Sequence, residues 1–274
     1  MDYLDYQFND SPLFINTFDE APLWSAAFGL LLFRHLPLIT KGVAVDLGCG
    51  AGFPLLELAE RLGAQSHVYG IDPWTNAVAR AKQKVSDYGI TNVTIIEASA
   101  ASIPLESNSV DLIVSNLGIN NFENPEVVFI ESFRVLKPGA RLALTTNLNG
   151  HWSEFYRIFE ETIKYFGWNE LLPELEKHEQ HRGNRQSIAN KFEETGFREI
   201  RFFEEEMIMN FSDGSAFLNH HFVKLGWLES WFKLIPEKER QTFFRNLEQR
   251  INAVAASGNG WQLTVPMLYA DAIK

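Results

Sequence analysis

The chain is 274 residues long and 46% hydrophobic, enough for one large domain or a domain with a cap. Its formal net charge of −11 argues against a nucleic-acid partner, whose phosphates demand clustered Lys and Arg, and against an anionic membrane surface. One Cys, no apolar stretch long enough to span a bilayer, and an acidic start without a cationic, apolar leader point to a cytoplasmic protein.

Residues 1–40 are rich in aromatics, among them Tyr3, Tyr6, Phe14, Phe18 and Trp24. A helix is expected over 20–36, capped by Asp19 with Pro22 in its first turn. It either folds over a ligand as a lid, with Phe18 and Trp24 as contacts, or packs on a sheet edge. Val43, Ala44 and Val45 then suit a buried parallel strand, closed by Asp46. Gly48, Gly50 and Gly52 alternate with Cys49 and Ala51, and Pro54 opens an amphipathic stretch as its first helical residue. Strand, glycine turn and helix in that order bring bare backbone N–H groups and a positive helix end to a nucleotide-like cofactor. The spacing is not the nicotinamide fingerprint G-x-G-x-x-G, whose third Gly would fall at Phe53. Cys49 reads as a small residue beside the ligand, with a catalytic thiol as the alternative.

The next apolar run, 67–71, ends in Asp72, twenty residues beyond Gly52. A carboxylate there can accept from two adjacent ribose hydroxyls, and it can also cap a helix starting near Pro73. Further strands are expected at 92–98, 110–115 and 142–146, with a helix at about 126–136 and a turn at Pro138 and Gly139. Asn116 and Leu117 close the fourth strand, where ligands of open α/β sheets sit. Helices follow at 151–167 and 187–195, the latter stopped by Gly196, with a basic stretch at 178–185 that reads as a solvated helix end or loop. A sixth strand is expected at 198–211. Residues 212–257 then interrupt the sheet with helices, including an amphipathic one over 237–256, and the chain ends as a strand.

The acidic residue, three glycines and proline of 46–54, together with Asp72 and the sequence LKPGA at 136–140, resemble the class I S-adenosylmethionine-dependent methyltransferases, most of all the type-11 small-molecule branch. The likeness is close over 41–147 and loose elsewhere. It implies an α/β fold: a doubly wound, seven-stranded, mostly parallel sheet whose last strand enters antiparallel between strands six and five, with an α-helical cap. The implied divisions are an N-terminal helical lid at 1–40, a cofactor-binding core at 41–211, a cap insertion at 212–257 and a final core strand at 258–274.

The resemblance also implies S-adenosyl-L-methionine as cofactor. Asp46, Gly48, Cys49, Gly50 and Gly52 would line it, Asp72 would grip its ribose, and Pro73 and Trp74 would flank its adenine; Trp74 could equally be an ordinary core aromatic. Alignment on Ile103 and Pro104 puts Ser99 where the family commonly has an Asp facing the adenine amino group. A hydroxyl there can accept but carries no charge, and a backbone group at Ser99 or Ala100 is the alternative. Glu97, two residues earlier, faces elsewhere. Asn116 and Leu117 form the floor. In this family the helices before the last strand cover the acceptor pocket, and Gly214 and Gly226 would let them move. His220 and His221 lie there, either as a base for the acceptor or as structural or exposed residues. No His, Asp or Cys cluster has ligand spacing, so no metal is expected.

The expected reaction moves a methyl group from S-adenosylmethionine to a small organic acceptor by in-line displacement. Ser99 keeps a non-catalytic cofactor-binding module in view. A nicotinamide-dependent oxidoreductase is opposed by Phe53 and by the last strand. Neither the acceptor atom nor the oligomeric state has a sequence signature.

Overall fold

A computed structural model describes residues 2–7, 11–20, 23–180 and 182–274, with backbone alone at 17–20. The side chains of Phe18 and Asp19, and Pro22 as a whole, lie outside the described residues. Strand β1 (Gly42–Leu47) is apolar up to Asp46 because both its faces are covered: Ala44, Val45 and Leu47 are at most 1% exposed. It pairs in parallel with β2 (Ser66–Asp72), from Gly42 with Ser66 to Leu47 with Ile71, and on its other side with β4 (Val110–Asn116). Strand β3 (Val93–Glu97) adds in parallel to β2, and β5 (Leu136–Asn147) to β4. Strand β7 (Trp261–Ile273) runs antiparallel to β5, and β6 (Arg198–Phe211) completes the order β3-β2-β1-β4-β5-β7-β6. This is the expected seven-stranded, mostly parallel sheet. The order reverses between β1 and β4, so their carboxyl ends flank the crevice where open α/β sheets bind ligands.

Several local expectations change. Two helices, α1 (Pro12–Glu20) and α2 (Leu23–His35), replace the single one at 20–36. Helix α2 buries Trp24, Phe28, Leu31 and Leu32 and packs on the interior strands β4 and β5, not on a sheet edge. Pro54 is the N-cap of α3 (Leu55–Leu62), not its first residue, and follows a cis peptide bond from Phe53. One face of α3 buries Leu55, Leu56, Leu58, Ala59 and Leu62; the other carries an i,i+4 ion pair of Glu57 and Arg61 at 2.7 Å. Helix α4 (Thr75–Tyr88) follows β2, and α5 (Pro125–Val135) precedes β5. Pro138 and Gly139 do not separate α5 from β5. Leu136 already pairs with Val110, the next pair is Arg141 with Leu112, and residues 137–140 bulge out of the ladder. Pro has no N–H for the ladder, and Gly139 takes a φ of 82°.

The described chain forms two compact units. The sheet unit comprises Ser11–Asn147, Asn184–Glu205 and Met267–Lys274. The helical unit comprises Met1–Asp10, Leu148–Gly183 and Glu206–Pro266. Its helices are α6 (Ser153–Phe166), α7 (Leu172–Glu179), α9 (Gly214–Asn219), α10 (His221–Val223), α11 (Glu229–Leu234) and α12 (Arg240–Ser257), while α8 (Arg185–Thr195) belongs to the sheet unit. The helical unit is held by packed rings: Phe159 of α6 meets Phe243 of α12 at 4.9 Å, tilted by 54°, and both are fully buried. The stretch at 178–185 begins as the expected helix end, with Gln180, Asn184 and Arg185 exposed and Arg182 and Gly183 partly covered. The Asn149 N–H donates to the Gly183 carbonyl at 3.0 Å, which draws the segment in and leaves the Nε of Arg182 buried. Among the described residues no helix is long and apolar enough to cross a membrane.

Candidate functional site

The glycine turn after β1 is left-handed at three points: Gly48, Gly50 and Gly52 have φ of 77°, 48° and 106°, a conformation that strains any side chain. A Cβ on Gly52 would sit 2.6 Å from Leu56 Cδ1, whereas a Cβ on Gly50 would meet nothing within 4 Å. Gly50 therefore borders open space. The turn does not present bare N–H groups as expected. Gly48 and Cys49 both donate to the Ile71 carbonyl, at 2.8 and 3.3 Å, Gly52 donates to the Cys49 carbonyl at 2.9 Å, and Gly50 donates to Asp72 Oδ2 at 2.9 Å. The turn folds back onto the end of β2, which satisfies its donors internally.

Two carboxylates meet beneath this turn. Asp46 is fully buried, and neither of its oxygens completes a hydrogen bond among the described residues. Burial, then the neighbouring Asp72 charge, push its pKa up to about 8, partly offset by the Leu55 backbone N–H. Asp72 is raised by burial, against which the Trp74 and Gly50 N–H groups pull down. Its Oδ1 accepts from Trp74 N at 2.8 Å, so it organises the entry to α4 without being its N-cap. A carboxylate offers about four lone-pair directions. With two taken by backbone, Asp72 keeps acceptor capacity for a diol. Cys49 is fully buried, and burial with the two carboxylates raises its thiol pKa, so it stays neutral.

Around this pair, Pro73 is exposed and Trp74 half-buried, with the Phe14 ring of α1 at 6.1 Å from the indole. Ser99 is exposed and accepts from the Ala101 N–H at 3.2 Å, and Ala100 is buried. Glu97 faces away, accepting from Thr75 Oγ1 at 2.7 Å. Asn116 is locked: its amide donates to the Ser25 carbonyl at 3.1 Å and accepts from Thr145 Oγ1 at 2.7 Å. Leu117 follows with a φ of 65° and is buried. Trp24 is 8% exposed and packs along its own helix against Phe28, with ring centroids 5.2 Å apart.

Sequence reasoning missed Ser25, Gly118 and the Phe53–Gly29 contact. A Cβ on Gly29 would be 2.3 Å from Phe53 Cζ, so the aromatic that replaces a nicotinamide-type glycine lies against α2. An alternating-glycine turn followed by an aromatic was the one available signal.

His220 and His221 belong to the helical unit. They do not sit together on a helix: His220 is extended, with ψ 131°, and separates α9 from α10. Burial foremost, then neighbouring cationic groups, lowers both pKa values, leaving each neutral near pH 7 and able to take a proton. Among the described residues no group of His, Cys, Asp or Glu could hold a metal.

A buried carboxyl group with no completed hydrogen bond among the described residues, a second with spare acceptor capacity and open space at a glycine suit a cationic ligand carrying a diol. Residues 45–144 match the family model described as a methyltransferase domain. The demethylmenaquinone methyltransferase of Listeria monocytogenes serotype 4a is 28% identical over 181 residues, covering 60% of this chain and 73% of that one. Its counterpart from Geobacillus sp. is 30% identical over 166 residues, covering 57% and 71%. The crystal structure of the YcgJ protein from Bacillus subtilis shares the fold, with a TM-score of 0.62 at 15% identity and coverage of 91% and 98%. The nicotinamide and non-catalytic readings are thereby set aside. The chain belongs to the class I S-adenosylmethionine-dependent methyltransferases and transfers a methyl group from that cofactor to a small molecule.

Proposed function

We propose that the crevice at the carboxyl ends of β1, β2 and β4 is where the chain binds S-adenosylmethionine, with Asp72 on the ribose hydroxyls and Asp46 facing the cofactor's positive charge. The observation that carries this is Asp46, fully buried beside a second carboxylate with no completed hydrogen bond. Burial keeps that carboxyl mostly protonated near pH 7, and its ionised form is costly unless a cation answers it. Bound S-adenosylmethionine supplies an electrophilic methyl on a sulfonium. The chain's own residues bind, orient and exclude water. Gly50 leaves the ligand room, Trp74 with Phe14 flanks the adenine, Ser99 or Ala100 meets its amino group, and Asn116 and Leu117 make a floor that Thr145 and Ser25 hold in place. Cys49 is neutral and buried, so it serves as a small wall residue, not a nucleophile. Positioning of this kind supplies roughly 7–11 kcal/mol of a barrier without any protein nucleophile. His221 or His220, both neutral near pH 7, is the candidate base for an acceptor that must lose a proton. The net charge of −11 and the single Cys support a cytoplasmic enzyme without a nucleic-acid partner.

Calorimetry with the cofactor tests the assignment. Gly50→Ala costs about 1–2 kcal/mol of backbone strain and folds, because its Cβ has space, yet that Cβ occupies the ligand's volume and lowers affinity at least ten-fold. Asp72→Ala lowers it further. Near-native affinity in both folded variants would place the cofactor elsewhere.

A further inference from the structure

Among the described residues the helical unit contains a cation that no ion pair balances. Arg182 is half-buried and its Nε wholly so; among the described residues that Nε makes no hydrogen bond and the side chain makes no ion pair. Glu179, three residues earlier, forms no ion pair with it among the described residues, although its charge reaches Tyr156. Arg182 instead lies within electrostatic reach of Tyr156 on α6 and of His151. Tyr156 is 5% exposed and accepts a hydrogen bond from Trp231 Nε1 at 3.3 Å, but its own hydroxyl proton is donated to none of the described residues. His151 is 5% exposed, and burial with the Arg182 charge holds it neutral, so it supplies neither a counter-charge nor a second cation.

A half-buried guanidinium without a counter-charge is unfavourable, and a buried donor left unused adds to the cost. Folds keep such groups where a ligand completes them. The surroundings are flat and apolar. The His151 ring lies 4.4 Å from that of Trp152 and 5.8 Å from Trp227, and Tyr156 meets His178 at 5.9 Å. Arg presents a planar fork matched to a carboxylate, and its face stacks on rings. One positive charge balances one negative charge, which favours a carboxylate over a phosphate dianion.

We propose that the helical unit binds a small aromatic carboxylate, whose anion is taken by Arg182 and the Tyr156 hydroxyl and whose ring lies among the surrounding aromatic side chains. The inference concerns binding alone and does not depend on where the methyl donor sits.

The test is calorimetry on the full chain with benzoate, 1-naphthoate and indole-3-acetate, each beside its primary amide, and with acetate. At least one aromatic carboxylate binds with Kd below about 1 mM, while its amide and acetate bind at least ten-fold more weakly. Arg182→Met abolishes that binding, Arg182→Lys leaves a weakened remainder, and Tyr156→Phe weakens it several-fold. Circular dichroism and a single cooperative melt of Arg182→Met report that the variant is folded. Ligand-free Arg182→Met also melts about 2–4 °C above the wild type, since the uncompensated charge is gone; a residue serving packing alone would melt lower. Equal affinity for acid and amide or for acetate, retained carboxylate binding in Arg182→Met, or no heat from any of the three aromatic acids overturns the proposal. The comparison of acids with amides on the wild-type protein stands even if a variant fails to fold.

Discussion

Asp46 couples the sheet unit to pH. Its ordinary pKa is 3.8 and the folded chain raises it to about 8. A raised carboxylate pKa means that the folded state binds the proton more tightly than the unfolded chain. The stability this provides is complete below pH 4 and is lost as pH climbs to about 8. His151, His220 and His221 have lowered pKa values, so their effect lies on the acid side of 6.5 and does not overlap the window from 7 to 8. We expect the ligand-free protein to lose stability between pH 7 and 8 by about 1 kcal/mol, measured by urea midpoints, and Asp46→Asn to lose markedly less. Parallel slopes for the two proteins would remove Asp46 as the cause. The two acidic residues and the glycine turn were legible from the sequence because order and spacing along one strand–turn–helix unit are local properties. The hydrogen bonds of the turn were not, because they depend on the end of β2. The anchoring of Asn116 was equally hidden, since its partner Ser25 stands 91 positions away in the chain.

The strands were readable where apolar runs of β-branched residues are bounded by polar ones, as in β1, β2 and β4. The start of β5 was not, because Pro138 and Gly139 signal a turn wherever they stand, and only the register against β4 turns that signal into a bulge. Helix α2 shows a different limit: it is apolar on several sides, so its composition gives no face and no address. Gly118, just past β4, ties two elements together. A Cβ there would lie 2.4 Å from Ser115 Oγ and 2.8 Å from the Leu47 carbonyl, and Ser115 Oγ donates to that same carbonyl at 2.8 Å. Gly118→Ala must therefore part the hydrogen bond that joins the ends of β4 and β1. Overpacking of this kind costs about 1–3 kcal/mol. The expected result is a loss in that range by urea unfolding, together with weaker cofactor binding if the cofactor sits, as proposed, at these two strand ends. A loss below about 0.5 kcal/mol would show that the strand ends yield without consequence.

The net charge of −11 gives the chain a negative field that the cofactor meets before any contact forms. S-adenosylmethionine carries a sulfonium, an ammonium and a carboxylate, one net positive charge near pH 7. Its demethylated product has lost the sulfonium charge and is neutral overall. Screening shortens the reach of the field from about 30 Å at 0.01 M salt to about 8 Å at 0.15 M. Donor affinity should then fall about three-fold or more across that range, while product affinity stays within about a factor of two. The buried Asp46 pair is screened far less than charges at the surface. Asp46→Asn should accordingly weaken donor binding at every salt concentration and leave the slope against salt unchanged. If the substitution flattened the slope instead, the attraction would come from that one carboxylate and not from the charge of the whole chain.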